Sequence, residues 1–369
     1  MQFKVPLSVV QYWLGRAGPG PLDAVDWADQ SHAPHQPPGQ TEPLIERRVL
    51  AVRQTLGQGA LGFIGADAIA DALRAELGVR LPSVRTIGRI LRRHGVLDAQ
   101  RRVRRIAPPP GWYLPPSPGE LGELDAFDVV EDLRLEGGPL VDVLTACALL
   151  GSVVGAWPRA GISAAFTMDC LLAHWRAHGL PRYAQFDNDT RFQGPHQHPD
   201  TLGRVGRLCL ALGVVPVFAP PGEQGFQNTA ESFNNLWQEK VWLRFHHESL
   251  LALRARSDRF VAALAVRWAK KIERSPARRR FPRSWRLDLQ ARPRGTILYV
   301  RRTDEAGAVR VLGHRWVVQR PWCHRLVRAE VDLDQDQIRF YTLRRREPTE
   351  QPLVKTVHYR FPHRPFRAD

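Results

Sequence analysis

The chain has 369 residues and a mass of 41.8 kDa, which predicts two to four domains with a sizeable core. Its net charge of +16 at pH 7 comes mostly from Arg, which favours a polyanionic partner, above all nucleic acid, over an acidic membrane surface. Four single cysteines without a CxxC pair argue against a disulfide framework, and no run approaches about 18 apolar residues. We therefore expect a soluble, unsecreted protein of a reducing cytosol.

Residues 1–42 predict a partial helical segment and a linker. Apolar residues at helical spacing indicate a short helix between Pro6 and Gly15. The stretch from Trp27 to Gln40 is rich in Pro, His, Ser and Gln and has no period, which is typical of a linker.

Residues 43–106 predict an all-α helix-turn-helix domain. The pattern indicates one helix from Pro43, a second from Ala66 to Leu77, and a third that Ser83 caps. The third helix carries basic residues outside its apolar stripe, as a helix that enters the major groove of DNA does. These candidate DNA-binding residues are Arg85, Arg89, Arg92 and Arg93. A solvated basic face is the alternative, but Arg101, Arg102, Arg104 and Arg105 follow at once and favour DNA.

A proline-rich linker, residues 107–117, precedes a predicted catalytic core, residues 118–273. In the core, strand-like runs come first and helix and strand patterns then alternate, which predicts an α/β domain with a mixed sheet. The predicted strands are 124–135, the apolar run 140–157, 183–186 and 214–218, and the predicted helices are 163–179, 202–212, 229–240 and 247–272. This order is the outline of a ribonuclease H-like domain.

The carboxyl-terminal third predicts three further parts. Residues 274–294 form a basic linker in which Arg278, Arg279 and Arg280 are candidate phosphate contacts, unless the linker is only a solvated tether. Short β-like runs predict a small β-barrel over residues 295–345, and we expect the tail, residues 346–369, to be loosely held. The predicted fold class is therefore multidomain α/β.

Three acidic residues are candidates for metal-assisted chemistry on phosphodiesters. Asp125 and Asp187 stand at or near predicted strand ends, and Glu231 lies early in a predicted helix. Two Mg²⁺ or Mn²⁺ ions held by carboxylates of separate segments would suit phosphoryl transfer. Asn235 and Gln238 lie on the same helix face as Glu231, where they would guide a DNA end or be solvated.

Two other acidic arrangements compete with this set. Asp128 could replace Asp125, but a separation of three residues places the two on opposite faces of a strand, and we prefer Asp125. His196, His198 and Asp200 have a spacing that could bind zinc. A solvated loop is favoured there, since no Cys or distant His motif completes a tetrahedron.

The acidic motifs resemble those of a known family. Pro118-Gly-Glu-Leu, followed by Asp125, the run Phe186-Asp-Asn-Asp-Thr-Arg-Phe192, and Gln227-Asn-x-x-Glu231 look like the three motifs of the DDE integrase core. This core is shared by retroviral-type integrases and many bacterial insertion-sequence transposases. The stretch from Ser83 to Leu97 resembles the helix-turn-helix that these transposases place before the core, and the carboxyl-terminal part resembles their small barrel.

The resemblance implies a transposase or integrase that cuts and joins DNA ends. It implies Asp125, Asp187 and Glu231 as catalytic ligands of two Mg²⁺ or Mn²⁺ ions. Implied partners are double-stranded DNA, both element ends and target, further copies of the chain and in some cases an ATPase, with no membrane. The expected location is the bacterial cytoplasm, at the nucleoid. A non-catalytic DNA-binding relative and a structure-selective nuclease are the alternatives.

The sequence departs from the family pattern in two places within the core. Asp189 stands where the family has Gly, so Asp189 could itself act as a surrogate ligand. The interval from Asp187 to Glu231 is longer than in the family, with a His- and Pro-rich segment from Gly194 to Asp200 as the insertion.

Overall fold

The computed structural model describes residues 4–28, 41–75, 81–97, 109–116, 122–195, 198–223 and 225–366. The chain divides into two compact units, one of Met1–Arg53 with Gly65–Leu97 and one of Gln54–Ile64 with Asp98–Asp369. In these described ranges, no helix combines the length and the apolar character needed to cross a membrane.

The first unit is helical, as predicted. Its helices are α1 (Leu7–Ala17), α2 (Pro43–Gln58, which continues into the second unit), α3 (Ala66–Arg74) and α4 (Val84–Arg93). The Ser83 hydroxyl accepts a hydrogen bond from the Thr86 amide at 3.2 Å and so caps α4. Apolar residues of α2, α3 and α4 form the small core of this unit, among them Val49, Val52, Ile69, Leu73, Ile87, Ile90 and Leu91. The helix predicted from Ala66 to Leu77 is described only as far as Arg74, because residues 76–80 lie outside the described ranges.

The second unit is built on a mixed sheet. Its first strands are β1 (Leu124–Arg134), β2 (Leu140–Ala148), β3 (Val154–Arg159), β4 (Tyr183–Phe186) and β5 (Val215–Phe218). The remaining strands are β6 (Thr296–Arg302), β7 (Ala308–Val311), β8 (His314–Val317), β9 (Leu326–Asp332), β10 (Gln337–Leu343) and β11 (Leu353–His358). Strands β1, β2 and β3 are antiparallel, and β4 and β5 then join β1 in parallel. The predicted α/β core with a mixed sheet is confirmed.

Helices cover both faces of this sheet. They are α5 (Ala164–His178), α6 (Thr190–Gln193), α7 (Arg204–Ala211), α8 (Asn228–Trp237), α9 (Leu250–Arg267) and α10 (Ala269–Glu273), and a π-helical turn (Gln238–Trp242) follows α8. On one face Phe127 packs with Trp175 of α5, and on the other Val130 packs with Trp237 and Phe260. Because successive strand residues point to opposite faces, residues of β1 with odd and even numbers belong to different layers.

The carboxyl-terminal strands correct one part of the prediction. Strand β6 pairs in parallel with β5, and β9, β10 and β11 extend the same sheet, in the order β11-β10-β9-β6-β5-β4-β1-β2-β3. Strands β6, β9 and β10 therefore continue the core sheet, β7 and β8 form a separate antiparallel hairpin, and residues 295–345 do not close a small barrel apart from the core. The described part of the tail is held on the core, since β11 pairs with β10 and both Tyr359 and Phe361 are buried.

Candidate active site

The parallel pairing of β1 and β4 brings two carboxylates side by side. Asp125 is the register partner of Ala184, and three residues further along each strand come Asp128 and Asp187. Asp187 follows the last residue of β4, where the chain leaves the sheet. The carboxylate that neighbours Asp187 is therefore that of Asp128.

Helix α8 adds the third carboxylate on the same face. The Asn234 side-chain amide donates to Oδ2 of Asp128 at 2.8 Å, and its oxygen accepts from the Thr145 hydroxyl at 2.6 Å. This buried bridge fixes α8 on the sheet. Glu231 lies one turn before Asn234, is exposed, and lines an open cleft together with Asp187 and Gln227. Asn234 was not singled out in the sequence analysis, although its spacing of three residues from Glu231 places both on the same side of the helix.

Burial and nearby negative charge raise the pKa of two of these carboxylates. Burial, with a smaller contribution from the charges of Asp187 and Glu231, raises the pKa of Asp128 to about 6 against hydrogen bonds from the Val129 amide and Asn234. Burial and the neighbouring Asp189 also raise the pKa of Asp187. Neighbouring carboxylates with raised pKa values at the edge of a cleft are a feature of functional sites.

The donor atoms fit a hard divalent cation, since all three side chains offer carboxylate oxygen. The three side chains are, however, too far apart to bind one ion together without movement. Within the described ranges, no three His, Cys, Asp or Glu side chains are grouped closely enough to hold a metal ion as they stand. One Asp128 oxygen is bonded to Asn234 and the other to its own neighbour's amide, that of Val129.

Asp125 does not belong to this site, which corrects the prediction. Its side chain is fully buried on the opposite face, at 0% exposure. Arg278 donates to both of its carboxylate oxygens, at 3.0 Å to Oδ2, and the Trp175 ring nitrogen donates to Oδ2 at 3.1 Å. With its charge neutralised and its oxygens occupied inside the core, Asp125 has a structural role.

The turn after Asp187 is held by hydrogen bonds within the protein. Asp187 accepts from the Asp189 amide at 2.9 Å, while Asp189 caps α6 and pairs with Arg191 at 2.6 Å. Asn188 donates to the Ala219 carbonyl oxygen at 2.6 Å. Asp189 therefore acts as a helix cap, and its pairing with Arg191 argues against a role as surrogate ligand.

Arg301 supports this turn, and no pattern in the sequence indicates that role. Its side chain is 8% exposed and donates to the Asn188 side-chain oxygen at 2.8 Å. It also donates to the carbonyl oxygens of Phe218 and Ala219, at 3.2 and 3.1 Å. Arg301 thus ties the end of β5 to the turn that carries Asp187.

Most of the predicted DNA-binding residues of the basic linker, residues 274–294, make hydrogen bonds within the fold. Arg278 is paired with Asp125, and Arg279 donates to the carbonyl oxygens of Leu212 and Gly213, at 3.0 and 2.7 Å. These contacts hold the basic linker on the core, so the structure argues against both as phosphate contacts. Arg280 is exposed and stays a candidate.

The other predicted DNA-binding residues are accessible. On α4, Arg85, Arg89 and Arg92 are exposed, while Arg93 pairs with Glu46 of α2. Next to Glu231, Asn235 is exposed and Gln238 is half-buried in the π-helical turn. Their contacts with DNA remain predictions.

The alternative zinc arrangement is not supported. His196 lies outside the described residues. Asp200 accepts hydrogen bonds from His314 Nε2 and from the Tyr359 hydroxyl, both at 2.7 Å. Asp200 therefore has a structural role between its loop and the carboxyl-terminal strands.

Comparison with known proteins gives structural likeness without a family match. No protein-family model and no curated protein matches the sequence. A simian T-cell lymphotropic virus intasome in complex with PP2A regulatory subunit B56 gamma has 12% identity and a TM-score of 0.37, over 75% of this chain and 91% of that chain. The HTLV-2 integrase catalytic core domain in complex with magnesium has 12% identity and a TM-score of 0.29, over 38% and 84%. The BIV integrase catalytic core domain has 16% identity and a TM-score of 0.28, over 38% and 82%. At these scores the likeness carries no argument about activity.

Proposed function

We propose that this protein is a metal-dependent DNA-cutting and DNA-joining enzyme of the transposase or integrase type, with Asp128, Asp187 and Glu231 as its catalytic carboxylates. The observation that carries the proposal is the grouping of these three carboxylates on one face of the sheet, at the edge of an open cleft. The three acidic sequence motifs support it, once Asp128 takes the place of Asp125 in the first.

Each carboxylate has a separate duty in this proposal. Asp128 and Asp187, on neighbouring strands, would hold Mg²⁺ or Mn²⁺, and Glu231 would complete the ligand set from the helix. When bound, a pair of such ions activates the attacking oxygen and stabilises the leaving oxygen of a phosphodiester. Asn234 positions Asp128, and Arg301 positions the turn of Asp187.

DNA would be bound in part by the helical unit. Arg85, Arg89 and Arg92 present three guanidinium groups from α4, which suits phosphate or base contacts in a major groove. The net charge of +16 supports the same partner. Two DNA ends must be joined to one target, so we also propose that the working form contains several copies of the chain.

The direct test combines metal binding with DNA chemistry on the full chain. Calorimetry with Mn²⁺ should show binding to the wild type that is lost in Asp187→Asn with Glu231→Gln. Oligonucleotides taken from the DNA that flanks the coding region should be cut and joined to plasmid DNA in the presence of Mg²⁺ by the wild type alone.

The outcomes separate the alternatives. Cutting without joining would identify a nuclease on the same core. DNA binding with neither Mn²⁺ binding nor cutting would identify a non-catalytic DNA-binding relative. Cutting that survives the double substitution would overturn the assignment of these carboxylates.

A further inference from the structure

A second cleft, rich in arginine, adjoins the proposed active site. It has a volume of about 940 Å³, and we call it the arginine cleft. Four arginines line it, together with Asn188 and Pro221 from the active-site side: Arg301, Arg302, Arg310 and Arg315. All of these residues lie in the second unit, on β6, on the hairpin of β7 and β8, and on two loops that border the acidic residues.

The arginine cleft is continuous with the acidic one. Asn188 and Pro221 line both, and Asn188 directly follows Asp187 in the chain. A chain-like ligand that passes Asp187 can therefore extend past Asn188 into the arginine cleft without leaving the surface.

The charge of the arginine cleft favours an anion. Among the described residues that line it, Asp304 is the one carboxylate, against four guanidinium groups. Asp304 is already paired with Arg315 at 2.8 Å, and Arg302 is paired with Glu223 outside the lining. Arg310 is exposed and adds a positive charge to this surface.

The pairing of β7 with β8 gives a second, independent indication. Arg310 and Arg315 are direct register partners on these antiparallel strands, so their side chains lie on one face. Like charges placed directly opposite one another destabilise a sheet. Asp304 offsets part of that repulsion by pairing with Arg315, and an anion bound at Arg310 would offset the rest.

The hairpin is a firm support for these side chains. Its other face is buried through Val309 and Val311, and Leu312 and Gly313 both have positive φ, of 51° and 76°, as a tight hairpin turn requires. Asp304 accepts from the Ala308 amide at 2.8 Å and so fixes the start of β7. Groups held in this way lose little freedom when they bind a ligand.

We propose that the arginine cleft binds the sugar-phosphate backbone of the DNA strand that is cut at the acidic residues. The proposal rests on the proposed function, because it takes the acidic residues to be the place where the bound strand is cut. Guanidinium groups bind phosphate oxygens in a bidentate manner, and two arginines on a rigid hairpin can hold a phosphate between them.

The test measures the salt dependence of DNA binding by the full chain. The probe is a fluorescent mixed-sequence duplex with a single-stranded 3′ tail, and EDTA prevents cutting. Arg310→Ala should weaken binding and reduce the slope of log K against log salt by about 0.7 to 0.9, the value for one lost phosphate contact. Arg310→Lys should keep most of the slope, since the charge remains.

The matched control is Arg259→Ala on α9. Arg259 is exposed, and α9 packs on β3, five strands away from β6 in the sheet, or roughly 24 Å at about 4.8 Å per strand. Its loss should leave the slope unchanged. An equal fall in both variants, or no fall in Arg310→Ala, would overturn the arginine cleft as a strand-binding site.

Failure of the cleft and failure of the proposed function can be told apart. If the wild type cuts DNA with Mg²⁺ but Arg310→Ala binds like the wild type, the cleft assignment is wrong and the enzyme assignment stands. If the wild type never cuts but Arg310→Ala loses the expected slope, the cleft binds DNA in a protein that is not an enzyme.

Discussion

The two faces of strand β1 treat their carboxylates in opposite ways. Asp125 is fully buried, yet Arg278 and Trp175 neutralise and bond it. Asp128 lies three residues away on the other face, where Asp187 and Glu231 add negative charge instead of relieving it. The protein compensates the charge of Asp125 by itself, and in our proposal a cation would compensate that of Asp128.

This contrast gives a criterion for acidic residues in a sheet. A buried carboxylate with an arginine on both oxygens is part of the core, because desolvation of the two ions is repaid by their mutual attraction and hydrogen bonds. A carboxylate whose pKa is raised by neighbouring negative charges is repelled by them when it is ionised, and a bound metal ion can offset that repulsion. The predictions that follow test the two faces against each other.

The largest expected effect is on catalysis. Asp128→Asn should reduce Mg²⁺-dependent DNA cutting by about 10³-fold or more, because a lost metal ligand removes several kcal/mol of transition-state stabilisation. Asp125→Asn should retain its activity once the rate is normalised to the folded fraction. Cutting is measured on end-labelled oligonucleotides under identical Mg²⁺. The reverse pattern, with Asp125 essential and Asp128 dispensable, would restore the original assignment from sequence.

The next effect is on stability. Arg278→Ala should lower the free energy of unfolding by about 3–5 kcal/mol, since it leaves the buried Asp125 charge without its partner. The double variant Asp125→Leu with Arg278→Met should recover most of this loss, because no isolated charge remains. Urea unfolding of the three proteins gives the comparison. A cost below about 1 kcal/mol for Arg278→Ala would show that the pair is solvated.

The face of β1 that carries Asp125 should also control the stability of the protein in acid. Burial lowers the pKa of His174 to about 4 from 6.5, and Nε2 of this residue lies 3.8 Å from Asp125. Between pH 6.5 and pH 4 the unfolded chain binds a proton at this residue, whereas folded His174 stays neutral. The contribution of His174 to the free energy of unfolding is therefore complete above pH 6.5 and is lost as the pH falls towards 4. The loss amounts to about 3 kcal/mol.

His174→Leu isolates that contribution. The variant should show a smaller fall in unfolding free energy between pH 6.5 and pH 4 than the wild type, measured by urea unfolding at each pH. His178→Leu is the control, since His178 is less buried and should change the profile less. Identical pH profiles for His174→Leu and the wild type would mean that His174 is protonated in the fold.

The sequence predicts most of the elements, because they depend on local pattern. The helices of the first unit, the strands of the core and the cap at Ser83 follow from apolar spacing and capping residues. The opposite orientation of Asp125 and Asp128 also follows from the period of a strand. What the pattern omits is which face α8 covers, and that decides which of the two aspartates lies beside Glu231.

Long-range partners account for the errors. Arg278 reaches Asp125 from more than 150 positions along the chain, and no local motif reports such a pair. The run Ile297–Val300 is buried on both faces, which is typical of a central strand and could have indicated that β6 joins the core sheet. The register of β1 against β4, which brings Asp128 to Asp187, is set by packing of the whole sheet.

The smallest expected effect is a gain in stability when the charge of Asp128, on the other face of β1, is removed. Asp128→Asn keeps an acceptor for Asn234 but removes the charge whose pKa burial raises to about 6, from 3.8. The wild type loses stability as the pH rises from about 4 to about 6, because the folded state holds that proton more tightly than the unfolded chain. Asp128→Asn lacks this loss, so without metal at pH 7 it should be more stable by about 1 kcal/mol, a figure reduced for partial solvation.

The comparison that isolates this charge is the pH at which the gain vanishes. By urea unfolding in EDTA, the two proteins should coincide at pH 4 and separate by pH 7. Saturating Mg²⁺ should raise the stability of the wild type alone, since a ligand that binds the folded state stabilises it by mass action. A variant that is less stable than the wild type at pH 7 in EDTA would mean that Asp128 is already compensated by the protein, as Asp125 is, and the distinction between the two faces of β1 would fail.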